Sequence, residues 1–210
     1  MSLKLGIIGG SGIYDFDGLN NKKIITAKQG PFGFPSGDVI FGELDDVEIF
    51  FLPRHGANHS YNPSKVPYRA NIDFLKRLGC NDVISLSAVG SLKEELSPGK
   101  FIIVNQFIDL TYARDKTFFD RNIVAHVSMA IPTCLHTSNL VYKASQNVGI
   151  DIQKNGTYLA MEGPQFSSLA ESLLYRNWNC DVIGMTNMPE AKLAREAEIR
   201  YVPIAMVTDY

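Results

Sequence analysis

Cysteine is scarce in this chain of 210 residues: Cys80, Cys134 and Cys180 are the only three, far apart and with no Cys-x-x-Cys pair among them. That excludes a disulfide framework and a thiolate metal site of ordinary spacing, and the three read as buried thiols of a reducing compartment. Long apolar runs are lacking as well. The first, at residues 5–8, breaks into Gly9-Gly10-Ser11-Gly12, and nothing approaches the roughly 18 residues of a membrane span. No small-residue cleavage site follows the N-terminal apolar run, so it reads as a buried strand and not a signal peptide; the protein is expected in the cytoplasm. Charge of one sign is lacking too. With 20 basic against 22 acidic residues and a net charge of −2, there is no polybasic surface for nucleic acid or a membrane. Repeats, low complexity and linkers are absent, and residues 1–210 read as a single domain.

What is present alternates between two periodicities. Short apolar runs at 5–8, 38–44, 47–53, 82–87, 101–104, 181–185 and 202–207 predict strands, and 156–161 reads as extended. Between them, Ala70, Phe74, Leu75 and Leu78 recur at helical spacing over 66–79, ending at Gly79. A second helix is predicted over 138–148. A third opens at the capping box Ser168-x-x-Glu171 and runs to Asn177, and a fourth starts at Pro189 and runs to Ala197. Strands alternating with helices predict an α/β layered domain with a largely parallel sheet. The segment 105–135 has weak periodicity, which in a compact domain marks a functional loop. The sequence stops at Thr208-Asp209-Tyr210, just past a buried strand, and a closing C-terminal segment is expected beyond it.

Ligands of open α/β sheets collect at strand ends, and here five strand ends carry suitable chemistry. Gly9-Gly10-Ser11-Gly12 lets backbone N–H groups approach an anion, with Ser11 adding a hydroxyl; alone, it reads equally well as a tight turn. It is neither a Walker loop nor a good dinucleotide fingerprint. Pro53-Arg54-His55-Gly56 offers a guanidinium for bidentate phosphate contact and an imidazole for a second donated bond; the plainer alternative is a surface ion pair and a structural histidine. His55 and His59 stand four apart, but no acidic partner follows as in a zinc helix, so no metal is expected. Ser87-Ala88-Val89-Gly90-Ser91 reads as a third strand-end loop, Met185-Thr186 as a fourth, and Asp209 ends the last strand.

Taken together, GIIGGSGIYD, PFGFPS, PRHGANH, PSKVPYRANI, SAVGSL, FIIVNQFIDLT, MEGPQFSSLAES, MTNMPEAKLAREAEI and AMVTDY run in order from residue 5 to 210. They resemble the trimeric purine nucleoside phosphorylases, and within them the branch that acts on 5′-methylthioadenosine. The resemblance implies a three-layer α/β/α fold with a central mixed, largely parallel sheet and a homotrimer. It implies a phosphate site at Ser11, Arg54, His55, Ser87, Ala88 and Thr186. Substrate binding falls to Phe166 and Ser167 as the purine wall, Met185 through its backbone at the ribose, and His126 bordering the 5′ end from a neighbouring subunit. Asp209 is the carboxylate facing the base, and Asp209 and Ser167 are the catalytic candidates. Inorganic phosphate is a co-substrate, and no cofactor is implied.

Two positions bear on the base. Relatives that take guanosine and inosine have glutamate at Ser167 and asparagine at Asp209. An ionised carboxylate only accepts hydrogen bonds, so Asp209 suits the 6-amino group of adenine over a 6-oxo group. Gln165 replaces the family's usual arginine, and the family's second aspartate after the Thr-Asp-Tyr is not in this sequence. The expected reaction is phosphorolysis of 5′-methylthioadenosine to adenine and 5-methylthioribose 1-phosphate. The alternatives are a phosphorylase for inosine, guanosine or 5′-methylthioinosine, and a nucleoside-binding module without catalysis.

Overall fold

The computed structural model describes residues 3–10 and 18–210. Along them run β1 (Leu3–Gly9), β2 (Asn20–Ile25), β3 (Val39–Leu44), β4 (Val47–Pro53), α1 (Tyr68–Arg77), β5 (Asp82–Ser91), β6 (Phe101–Ile103) and β7 (Gln106–Asp109). Then follow α2 (Leu135–Asn147), β8 (Ile152–Lys154), β9 (Thr157–Ala160), α3 (Leu169–Asn177), β10 (Val182–Gly184), α4 (Asn187–Glu196) and β11 (Arg200–Asp209).

All eleven strands join one sheet, and β5 is its trunk. On one side β5 pairs in parallel with β1, which pairs in parallel with β4; β3 and β2 continue antiparallel to the edge. The sheet forks across the two edges of β5: β11 takes the edge opposite β1, and β10 joins the β1 edge beyond Ser85, where pairing with β1 ends. β11 runs parallel along β5 from Asp82 to Gly90 and carries β6 and then β8. At the end of β5, Gly90 and Ser91 pair antiparallel with β10, which carries β9 and β7. Most of the pairings are parallel, so the sheet is mixed and largely parallel, as the resemblance implied.

The period-2 alternation of strands assigns side chains to two faces. Val83 and Val89 of β5 and Tyr201, Ala205 and Val207 of β11 pack with Phe74 and Leu75 of α1 and Ala191, Leu193 and Ala194 of α4. The alternate residues Val202 and Ile204 turn to the opposite face and meet Val141 and Tyr142 of α2. Beyond the fork, Leu159 and Ile183 face Tyr175 of α3 on that same side. The result is three layers, helix on sheet on helix. Each fully buried Leu, Ile or Phe in them contributes roughly 1.5–3 kcal/mol relative to exposure.

Local signals explain the helix ends. Ser168 accepts from the Glu171 N–H while the Glu171 carboxylate accepts from the Ser168 N–H, so the capping box forms as written. After α1, Gly79 takes φ +91°, a left-handed stop that glycine adopts without steric cost.

Two sequence expectations need correction. Ser87–Ser91 is not a strand-end loop, because β5 continues through Ser91. Its small residues mark close approach instead of a turn: a Cβ on Gly90 would stand 3.2 Å from Ile183 Cγ2 and 3.3 Å from Asp209 Oδ1. The expected loop 105–135 begins with β7, and only the remainder is irregular. Sequence periodicity also misses β2, which is polar and exposed, and β8, which has three residues.

Candidate functional site

The C-terminal ends of β1, β4, β5 and β11 lie on one side of the sheet because these strands are parallel neighbours. β10 arrives there differently. Running antiparallel from Ser91, it sends Met185-Thr186-Asn187 back alongside the middle of β5, and there the Ser87 hydroxyl donates to Asn187 Oδ1 at 3.1 Å. The fold therefore brings Arg54, Thr186 and Asp209, from three strand ends, to one edge beside Ser87 of β5. Ser11 lies outside the described residues.

Arg54 follows β4, and its backbone N–H donates to the Gly9 carbonyl at 2.9 Å. Its side chain turns into the protein and is 1% exposed. Here the structure corrects the expectation of a fork open to a bidentate anion. The Nε and Nη2 edge already grips the Glu190 carboxylate of α4, at 2.9 Å to Oε2 and 3.2 Å to Oε1. Nη2 also donates to Ser85 Oγ at 2.6 Å, and Nη1 donates to the Leu86 carbonyl at 2.8 Å. Burial alone would lower the proton affinity of the guanidinium, but the Glu190 charge more than offsets it and holds Arg54 firmly cationic. Glu190 Oε1 further accepts from Ser85 Oγ at 2.5 Å and Tyr201 Oη at 2.7 Å. Asn187 Nδ2 donates to both of those hydroxyl oxygens at 3.0 Å. A buried polar network of this kind is stable only when its members are satisfied, and here the carboxylate and the carboxamide both are.

His55 is buried, with its ring stacked on His59 at 4.1 Å. Nδ1 lies 2.8 Å from the Tyr61 carbonyl, and a carbonyl only accepts, so Nδ1 carries the proton. Burial pushes the imidazole down to about 4. The ring is therefore neutral near pH 7 and Nε2 presents a lone pair, so it accepts a bond at that atom where a second donated bond was expected. Among the described residues, no group of three or more His, Cys, Asp or Glu could hold a metal.

A second buried ion pair lies beside the Met185-Thr186 turn, and sequence reasoning missed it. Arg114 Nε pairs with Glu162 Oε1 at 3.1 Å, with side-chain exposures of 1% and 8%. Glu162 Oε2 accepts the N–H groups of Tyr112 at 2.6 Å and Ala113 at 3.1 Å, and Ser64 also donates to this carboxylate. Burial would raise the Glu162 carboxyl, but these donors outweigh it and hold it down to about 2. Arg114 also donates to the carbonyls of Met185, Met188 (2.6 Å) and Glu162 (2.6 Å). The irregular segment after β7 is thus clasped to the turn carrying Met185 and Thr186. Thr186 is buried, and its N–H donates to Tyr158 Oη at 3.2 Å.

The remaining expected positions lie apart from these networks. Ala88 is exposed. Phe166 is 82% exposed. Ser167 Oγ meets Ser172 Oγ at 2.8 Å, a bond within its own helix start. His126 is exposed on the irregular segment. Asp209 is exposed at the end of β11, with Thr208 Oγ1 3.4 Å from its Oδ1. Among the described residues, no helix is long and apolar enough to cross a membrane.

Comparison with known proteins gives a consistent outcome. The family model described as Phosphorylase superfamily matches residues 4–210. The S-methyl-5′-thioadenosine phosphorylase of Cereibacter sphaeroides is 58% identical over 210 residues, covering 100% of this chain and 72% of the relative. A crystal structure of methylthioadenosine phosphorylase from an antarctic soil metagenomic library is similar with a TM-score of 0.94 and 50% identity, covering 100% of this chain and 74% of that one. The methylthioadenosine phosphorylase of Schistosoma mansoni in complex with adenine gives a TM-score of 0.92 at 37% identity, covering 98% and 82%.

Proposed function

The chain belongs to the phosphorylase superfamily, and from that premise we propose that it cleaves 5′-methylthioadenosine with inorganic phosphate, giving adenine and 5-methylthioribose 1-phosphate. The observation that carries the reading is the convergence of Arg54 and Thr186, from the ends of β4 and β10, on Ser87 of β5, with Asp209 at the end of β11.

Phosphate is nucleophile and counter-charge at once. It binds against Nη1 of Arg54, the hydroxyls of Ser11, Ser87 and Thr186, and the backbone at Ala88. His55 meets it through Nε2, and a neutral acceptor there suits the O–H of hydrogen phosphate. Holding phosphate against the anomeric carbon makes a bimolecular step local, an effect worth up to roughly 7–11 kcal/mol. As the glycosidic bond breaks, positive charge grows on the ribose and negative charge on the purine. The bound dianion stabilises the first, and the second is neutralised as the purine takes up the proton that hydrogen phosphate gives up in the net reaction, leaving as adenine.

On the nucleoside side, Met185 meets the ribose through its backbone and Phe166 and Ser167 wall the purine. Asp209 accepts from the 6-amino group of adenine. His126 reaches the 5′ end of the substrate in a neighbouring subunit of a homotrimer. The reaction so written needs no metal or organic cofactor, because phosphate itself supplies the nucleophile.

The test is adenine release from 5′-methylthioadenosine with and without added phosphate. Release that requires phosphate supports the proposal. Release at the same rate without phosphate means hydrolysis, and binding of phosphate and nucleoside without release means a binding module.

A further inference from the structure

We infer that Glu190 is the positioning residue of the phosphate site: it determines which edge of Arg54 meets the anion. The inference rests on the phosphate reading of Arg54 given above and adds a residue to which that reading assigned no role. Glu190 lies on α4, is 1% exposed, and grips Arg54 through both carboxylate oxygens. A guanidinium has five N–H groups in one plane. Glu190, Ser85 and the Leu86 carbonyl engage the Nε–H, the Nη2 hydrogens and one Nη1 hydrogen. The second Nη1 hydrogen has no protein acceptor among the described residues. Arg54 therefore offers an anion one charged N–H on a plane that cannot turn.

The carboxylate is itself held. Ser85 of β5 and Tyr201 of β11 both donate to its Oε1, so two adjacent strands fix its orientation. Asn187 bonds both of those hydroxyls and also accepts from Ser87. The Arg54 edge and the Ser87 hydroxyl, two of the proposed phosphate donors, are thus supported by one rigid group of side chains centred on Glu190. Without the carboxylate, the Arg54 fork has no counter-charge and turns toward whatever acceptor is nearest, and Ser87 loses its register with it. The nucleoside side does not touch this group: Phe166, Ser167 and Asp209 make none of its bonds.

The test uses the full protein with Glu190→Gln, which keeps shape and removes charge, and Tyr201→Phe, which removes one donor to Glu190 and keeps the ring. KM for phosphate, KM for nucleoside, kcat, and phosphate binding by calorimetry are measured for each. Glu190→Gln is expected to raise KM and Kd for phosphate by roughly tenfold or more, with the nucleoside KM within about twofold of native. Tyr201→Phe is expected to move the phosphate constants in the same direction by roughly threefold. A folded Glu190→Gln protein with native phosphate constants overturns the inference, and so does a parallel rise in both KM values, which is the mark of general structural loss. If Glu190→Gln does not fold, Tyr201→Phe decides: unchanged phosphate binding overturns the inference. A native protein that binds phosphate without turning over substrate counts against the proposed reaction, while the binding constants still judge Glu190.

Discussion

The two halves of the proposed site are built in opposite ways. On the phosphate side, Arg54, Ser87 and Thr186 are buried and tied to Glu190, Asn187, Tyr158 and Tyr201. On the nucleoside side, Phe166, His126 and Asp209 are exposed and Ser167 bonds only a neighbour in its own helix start. The difference teaches that a fold positions a small anion with its core, whereas it holds the groups meant for a larger, variable substrate on the rim. A buried, hydrogen-bonded group cannot change without cost to stability; a rim residue can.

That contrast can be broken in three ways. The largest expected effect is on the buried side. Arg114→Ala leaves Glu162 as a buried carboxylate without its cation, and removing one partner of such a pair costs about 3–5 kcal/mol. Urea denaturation measures it, and a loss under about 1 kcal/mol would show that other bonds hold the segment after β7. Next comes the rim. Asp209→Asn is expected to leave stability within about 0.5 kcal/mol, yet to shift the ratio of adenine to hypoxanthine nucleoside cleavage toward hypoxanthine by roughly tenfold or more. An unchanged ratio would remove the acceptor argument for adenine. The smallest effect is in pH. His55 is held down to about 4 by burial, below an unfolded value of about 6.5, so between these values the unfolded chain binds more protons. Stability from this group therefore rises with pH across that window and is lost as pH falls from about 6.5 toward 4. The fall in Tm from pH 6.5 to 5 should be smaller in His55→Gln than in the native protein, by no more than roughly 4 °C. Equal falls would show that His55 ionises freely.

The layered fold was legible because its strands and helices carry clean periodicities, and the capping box at Ser168 marked a helix start that formed as written. The end of β5 was misread because Ala88 and Gly90 resemble turn residues, and only the pairing with β10 and β11 shows that they admit neighbours. The strand ends that carry Arg54, Thr186 and Asp209 were legible for the same reason that strands were. Their supports were not, because no local pattern ties Glu190 to Arg54 across 136 residues or Arg114 to Glu162 across 48. One signal was available: Glu190 is an acid amid Met188, Pro189, Ala191, Leu193 and Ala194, all buried, and a charge on an apolar helix face implies a buried partner. The protonation of His55 had no sequence signal at all, since it follows from the Tyr61 carbonyl.

Gly90 sits in the crotch of the fork, where the arm that carries β10 parts from the arm that ends at Asp209. One arm carries Thr186, proposed to meet the anion, and the other ends at Asp209, proposed to face the base. Because a methyl at position 90 would press on Ile183 and Asp209 together, its absence works as a gauge block: it sets how closely the two arms can stand at the end of β5.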